Sequence, residues 1–240
     1  MQAVILVGGE GKRLRPLTST VPKPVVPLVD RPFISFMLEW LRKHGIDDVI
    51  MSCGFLATSV RNVLGDGSGL GIRLRFVEEP DPRGTAGALK FAESLLDERF
   101  LMLNGDVLTD IDYGALLERH GAGDAAATIA TKTRQINISL GVLRFEDGGD
   151  PTRLTGYDEK PAIDFTASMG VYCFAPRALS HIKAGERLDF PDLILRLIAA
   201  GEVVRAWQSE DYWLDIGRHD DYEQAQEEFE SVRDRLIPAD

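Results

Sequence analysis

Short apolar runs alternate with segments of helical periodicity through the first half of the chain. Ala3–Val7 is a continuous apolar, β-favouring run that ends in glycines, which reads as a buried strand. After Pro32, the residues Ile34, Met37, Leu38 and Leu41 fall on one face of a helix, and Gly45 stands where a C-cap belongs. Val49–Cys53 reads as the next strand and Ala57–Leu64 as a short helix closed by a Gly-Asp-Gly-Ser-Gly turn. Ile72–Val77 then reads as a strand, Thr85–Leu96 as a helix and Phe100–Leu103 as a strand. Strands separated by helices of this length predict right-handed βαβ units and a mostly parallel sheet.

The rhythm changes after Asp124. Strand-like segments follow one another at Ala126–Thr131, Leu140–Phe145, Arg153–Tyr157 and Met169–Phe174. Helices return at Pro176–Ile182 and Phe190–Ala200, and a polar helix runs from His219 to about Leu236. The expected architecture is α/β: a doubly wound half over residues 1–124 and a mixed half over 125–240 that carries the terminal helix. No Pro- or Ser-rich linker separates the halves, so they read as two lobes of one domain. Internal repeats are absent, and without a hexapeptide repeat no β-helix tail is expected.

Composition narrows the classes. A chain of 240 residues with 44% hydrophobic and 27% charged positions can bury roughly 70% of its unfolded surface without disulfides or a structural metal. Cys53 and Cys173 sit inside apolar runs and read as buried reduced thiols, which suits a cytoplasmic location. Ala3–Val7 is too short for a membrane span or a secretory h-region. The formal net charge of −11 argues against nucleic acid or an anionic membrane as partner. A phosphate site must therefore come from a local basic cluster.

Such a cluster follows the first strand, in Gly8-Gly9-Glu10-Gly11-Lys12-Arg13-Leu14-Arg15-Pro16-Leu17-Thr18. Glycines let a backbone approach phosphate closely, and successive N–H groups form an anion nest. A dinucleotide fingerprint starting at Gly9 needs Gly or Ala at position 14, which is Leu14. A Walker A loop needs Ser or Thr after Gly11-Lys12, where Arg13 stands. A plain strand-to-helix turn is the competing reading of the glycines alone. Against it stand Arg13, Arg15 and Lys23, close together in an acidic chain, with Pro22 and Pro24 fixing the backbone around Lys23.

Two carboxylates complete the chemistry. Asp106, in Asn104-Gly105-Asp106, follows a predicted strand, where ligands of open α/β sheets bind. Asp215 lies in the apolar stretch Tyr212-Trp213-Leu214-Asp215-Ile216-Gly217. Mg²⁺ is typically held by one or two carboxylates plus substrate phosphates, so the pair could form a metal site. Each alone reads more readily as a turn residue or a helix N-cap than as a metal ligand, and spacing does not bring them together.

Assembled, these pieces resemble the sugar-phosphate nucleotidyltransferase family (NDP-sugar pyrophosphorylases), over Gln2 to about Gln226. The motifs occur in the family's order: GGEGKRLRPLT (8–18), PKPVVPL (22–28), GTAGAL (84–89), NGD (104–106), EKP (159–161) and WLDIG (213–217). The resemblance implies a Rossmann-like, mostly parallel mixed sheet flanked by helices, with a sugar-binding lobe. It also implies transfer of a nucleoside monophosphate from an NTP to a sugar-1-phosphate, with Mg²⁺ and release of pyrophosphate. Catalytic roles would fall to Arg13, Lys23 and Asp106, with Leu6, Gly8, Gly9, Gly11, Arg13, Gly84, Thr85 and Gly87 against the nucleotide. Asp106 and Asp215 would bind the metal. Gly141, Glu159, Lys160, Ser168 and Gly170 would face the sugar phosphate.

Ser168 stands where many members have Asn, and Lys12 where Thr is common, departures that bear on the choice of sugar. Gly87 removes a side chain from the expected base segment, leaves space for a purine and favours GTP. The segment also looks like that of mannose- and heptose-phosphate guanylyltransferases. Thymidylyl or uridylyl transfer, a cyclitol or polyol phosphate acceptor, and a non-catalytic nucleotide-sugar sensor are the alternatives. Dimers are common in the family, so a homodimer is compatible with the resemblance.

Overall fold

A computed structural model describes every residue except Glu10, Phe55, Leu56, Asp147, Gly149 and Pro238–Asp240, so Glu10 of the glycine motif lies outside the described residues. Its strands are β1 (Gln2–Leu6), β2 (Pro27–Leu28), β3 (Arg31–Pro32), β4 (Asp48–Cys53), β5 (Arg73–Glu78), β6 (Phe100–Asn104) and β7 (Val107–Thr109). They continue with β8 (Ala127–Asn137), β9 (Gly141–Phe145), β10 (Leu154–Glu159), β11 (Ala162–Phe174), β12 (Val204–Gln208) and β13 (Trp213–Asp215). The helices are α1 (Phe33–Lys43), α2 (Ala57–Leu64), α3 (Gly84–Phe91), α4 (Tyr113–Gly121), α5 (Phe190–Ala199) and α6 (His219–Leu236), with single 3₁₀ turns between them.

A seven-stranded sheet in the order β12-β8-β11-β6-β1-β4-β5 forms the frame. β1, β4, β5 and β6 pair in parallel, β12 is parallel to β8, and β11 runs against both β6 and β8. The expected mostly parallel mixed sheet is thus present. Its central strands are apolar throughout because both faces are covered. Ala3 and Ile5 of β1 face the core under α1 and α4, while Val4 faces the core under α3 and α5. A third cluster packs Phe229 and Val232 of α6 on Phe33 and Phe36 of α1 and on Leu214 and Ile216. Phe36 and Phe229 meet edge to face at 5.0 Å. Cys53 and Cys173 are free and fully buried, and burial pushes the Cys53 thiol up to about 12.

Helix ends follow the residues present. Pro32 stands at the N-cap of α1, and Gly45 beyond its end adopts φ +70°, open at low cost to glycine. The second half departs from its pattern. β8 extends from the apolar run into Lys132–Asn137, and β11 begins at Ala162, seven residues before the predicted start. These polar extensions pair only with each other, from Ala162↔Asn137 to Ser168↔Thr131. β12 was not anticipated, being short and half polar, and neither were β7 and β13. Pro176–Ile182 is a 3₁₀ turn over Pro176–His181. Among the described residues no helix is long and apolar enough to cross a membrane.

Candidate active site

A cleft of about 830 Å³ opens beyond the C-terminal ends of β1, β4, β5 and β6, within the range for small-molecule sites. Leu6, Gly8, Gly9, Gly11, Arg13, Lys23, Gly84, Thr85 and Asp106, which the resemblance assigns to the nucleotide, catalysis or the metal, line it. Glycine is required at specific points. A Cβ on Gly105 would fall 2.6 Å from the Leu6 carbonyl, so only glycine lets the strand end at Asp106 lie against β1. Gly11 caps a 3₁₀ turn with φ +60°, and its carbonyl accepts a 2.7 Å bond from the Thr18 hydroxyl. That bond folds the loop back on itself and presents Arg13, whose guanidinium lies within 4 Å of the side-chain position of Gly217.

Lys23, set by Pro22 and Pro24 in a 3₁₀ turn, donates to Asp106 Oδ2 at 2.6 Å. Asp215 reaches the same place through an element that spacing does not reveal. β13 pairs antiparallel with β7 so that Asp215 lies opposite Val107, and the Ile216 N–H donates to the Asp106 carbonyl at 2.9 Å. Burial and then the Asp106 carboxylate push the Asp215 carboxyl above the ordinary range, with Lys23 opposing them. Two carboxylates close enough for one to act on the other, with a lysine ammonium seated on one, fit a site for a hard divalent cation.

The GTAGAL segment corrects one expectation. Gly84 and Thr85 line the cleft but Gly87 does not. A Cβ on Gly87 would fall 2.6 Å from the Glu186 carbonyl, so this glycine lets α3 pack on the chain before α5 and leaves no room for a base. The Ala86 and Gly87 N–H groups donate to the Leu188 carbonyl, and that of Thr85 donates to Asp189 Oδ1 at 2.9 Å. Those backbone donors are therefore already engaged.

Glu79 and Asp189 were missed, although both line the cleft. Glu79 accepts from the Ser52 hydroxyl at 3.1 Å and from the Arg83 N–H at 3.2 Å, while burial pushes its carboxyl up. Its place just after a strand end was the available signal.

The acceptor-side residues lie apart from this cleft. Glu159 and Lys160 are exposed on the ribbon formed by β8–β11, with a 3.9 Å contact between their charges. The Tyr157 hydroxyl donates to Glu159 Oε2 at 3.1 Å and occupies the space over Gly141. Lys160 adopts φ +47°, a left-handed conformation costing a non-glycine residue about 1 kcal/mol, which functional sites tend to retain. The Ser168 hydroxyl is committed to the Tyr172 hydroxyl at 2.9 Å. Gly170, at φ +73°, lets β11 pass close to Asn104, and the Trp213 indole N–H donates to the Met169 carbonyl at 2.9 Å. Gly170 and Asp215 thus stand beside the NGD segment, while Gly141, Glu159 and Lys160 are outside the cleft.

Residues 2–232 match the nucleotidyl transferase family, and the chain belongs to that family. It is 33% identical to the UTP–glucose-1-phosphate uridylyltransferase of Synechocystis sp. over 94% of its own length, and spans 62% of that protein. It is also 33% identical to the D-glycero-α-D-manno-heptose 1-phosphate guanylyltransferase of Aneurinibacillus thermoaerophilus, over 96% of this chain and 99% of that one. In fold it is similar to the crystal structure of HddC from Yersinia pseudotuberculosis complexed with GMP-PN, at a TM-score of 0.74 and 24% identity, covering 95% and 99% of the two chains.

Proposed function

We propose that the chain is an enzyme that transfers a nucleoside monophosphate from an NTP, with GTP preferred, to a sugar-1-phosphate, yielding an NDP-sugar and pyrophosphate. The observation that carries this reading is the seating of Lys23 on Asp106 in the glycine-loop cleft, with Asp215 on the adjoining strand beside Asp106. Mg²⁺ held by Asp106 and Asp215 would offset charge on the triphosphate. The glycine loop's backbone and Arg13 cradle the phosphates, and Lys23, in the same cleft, donates to Asp106. The acceptor's phosphate oxygen is already ionised at neutral pH, so the chain need only align it with the α-phosphate, without a general base. Among the described residues no histidine lines the cleft.

With Gly87 facing away, the support for GTP shifts to Glu79. Its carboxylate accepts hydrogen bonds but donates none when ionised, and guanine offers adjacent N1–H and N2–H₂ donors. Uracil and thymine offer one N–H between two carbonyls, which suits an acceptor pair less well. The likeness to a heptose-phosphate guanylyltransferase of nearly equal length agrees with this preference. The Synechocystis relative acts with UTP, so uridylyl transfer is the second reading. Ser168, turned to Tyr172, gives no direct support to a particular sugar.

Pyrophosphate release across GTP, ATP, dTTP, UTP and CTP, each with several sugar-1-phosphates and with a cyclitol phosphate, tests the proposal. Metal-dependent release with GTP and one sugar phosphate is expected. Nucleotide binding without release for any pair would replace the enzyme with a sensor.

A further inference from the structure

The ribbon formed by β8–β11 carries five cations between Lys132 and Ser168: Lys132, Arg134, Arg144, Arg153 and Lys160. Four of them are engaged. Lys132 donates to the Glu210 carbonyl at 3.1 Å and to the Asp211 carbonyl. Arg144 pairs with Asp158, Arg153 with Glu146 and Lys160 with Glu159. Among the described residues the Arg134 guanidinium has no carboxylate or carbonyl partner, in a chain with 38 acidic residues against 27 basic ones. It lies instead over the Trp213 ring, 5.4 Å from the centroid.

The stack fixes where that free cation stands. Trp213 is held on two sides, its indole N–H donating to the Met169 carbonyl at 2.9 Å and its ring packing on the main core. A guanidinium on a fixed indole face loses little freedom and keeps its planar set of donors open at its edge. Side chains alternate along a strand, so Trp213 and Asp215 of β13 share one face, while Leu214 joins the α6 cluster on the other. Two residues of strand put Trp213 about 7 Å from Asp215. With the 1-phosphate of an acceptor at Asp106 and Asp215, Arg134 stands beyond the far side of the sugar ring.

We propose that Arg134 is a specificity-determining residue for the acceptor, binding a second anionic group, a carboxylate or a phosphate, on the side of the sugar away from its 1-phosphate. The planar guanidinium fork matches two oxygens of either oxyanion at once, whereas a sugar hydroxyl takes one bond and brings no charge. The chain's net charge of −11 repels a doubly anionic acceptor, so such a substrate needs a local cation at each end. A neutral sugar would leave the Arg134 donors to water. The inference rests on the nucleotidyl-transfer reading, which places the 1-phosphate at the two aspartates.

The test compares acceptors that differ only in that group: glucose-1-phosphate, glucuronic acid 1-phosphate and glucose-1,6-bisphosphate, with the matching mannose series, in the wild type and in Arg134→Gln. In pyrophosphate release with Mg²⁺, the wild type should show a KM for one anionic acceptor about tenfold below that of its neutral parent, the worth of one charge-assisted contact. Arg134→Gln should raise the anionic acceptor's KM by the same factor and the neutral parent's far less, with unchanged far-UV circular dichroism. An advantage for the carboxylate alone identifies a uronic acid acceptor, and one for the phosphate alone a bisphosphate. Calorimetric titration repeats the comparison without turnover. An anion preference that depends on Arg134, with no release for any pair, would keep this inference and remove nucleotidyl transfer. Equal use of charged and neutral acceptors by the wild type, or an equal loss for both in Arg134→Gln, would overturn it in either assay.

Discussion

The body around β1, β4 and β6 and the ribbon from Lys132 to Ser168 are built from the same kind of strand under opposite conditions. In the body, β1, β4 and β6 are apolar on both faces, covered by helices, and end on the cleft. In the ribbon the strands are covered on neither face among the described residues. The body closes a cleft on the strand ends, where we propose that the polyphosphate binds, whereas the ribbon holds Glu159 and Lys160, which the resemblance assigns to the acceptor, in the open. A site assembled on strand ends is set by packing; one carried on an uncovered ribbon is not.

The comparison is sharpest in stability. Phe100→Ala removes a fully buried ring and should cost about 3–5 kcal/mol in urea unfolding. Phe165→Ala should cost less than about 0.5 kcal/mol. Equal losses would erase the distinction between body and ribbon. Asp106→Asn should leave the thermal transition in place and lower turnover by about 10²-fold or more, as loss of a main transition-state interaction does. Near-normal Mg²⁺-dependent turnover in that variant would remove Asp106 from the metal site.

Glu79→Gln should weaken use of GTP by about 10- to 100-fold, the worth of a hydrogen bond to a charged group, while affecting UTP less. A uniform loss over all nucleotides would make Glu79 a structural residue. The smallest effect on stability concerns Asp215. Its carboxyl is raised in the folded chain, so the metal-free protein gains stability as pH falls toward the carboxylate range and loses it as pH rises through the Asp215 value. Asp215→Asn should remove that dependence and raise the metal-free melting temperature at neutral pH by at most about 3 °C, while abolishing most turnover. A lower melting temperature would mean that the ionised carboxylate is stabilising.

Much of the body was legible from residue order. The alternation of apolar runs and helical faces placed β1, β4, α2 and β6 within a residue or so, and the glycine loop, Lys23 and Asp106 line one cleft. Three things were not legible. β7 and β13 are three residues each, too short for periodicity, yet their pairing carries Asp215 to Asp106. The extensions of β8 and β11 are polar because they have no core to face, so no hydrophobic signal marks them. Gly87 was misread because the need for glycine comes from the Glu186 carbonyl, roughly a hundred residues away in sequence.

The division of labour between body and ribbon is tested most directly by the two substrates of Lys160→Ala. Calorimetric titration would give its affinity for GTP with Mg²⁺, and pyrophosphate release its KM for the sugar-1-phosphate. Unchanged GTP affinity with an acceptor KM raised about tenfold, the worth of one charge-assisted contact, is the expected result. A loss confined to GTP, with the acceptor KM unchanged, would place Lys160 on the nucleotide and contradict the account.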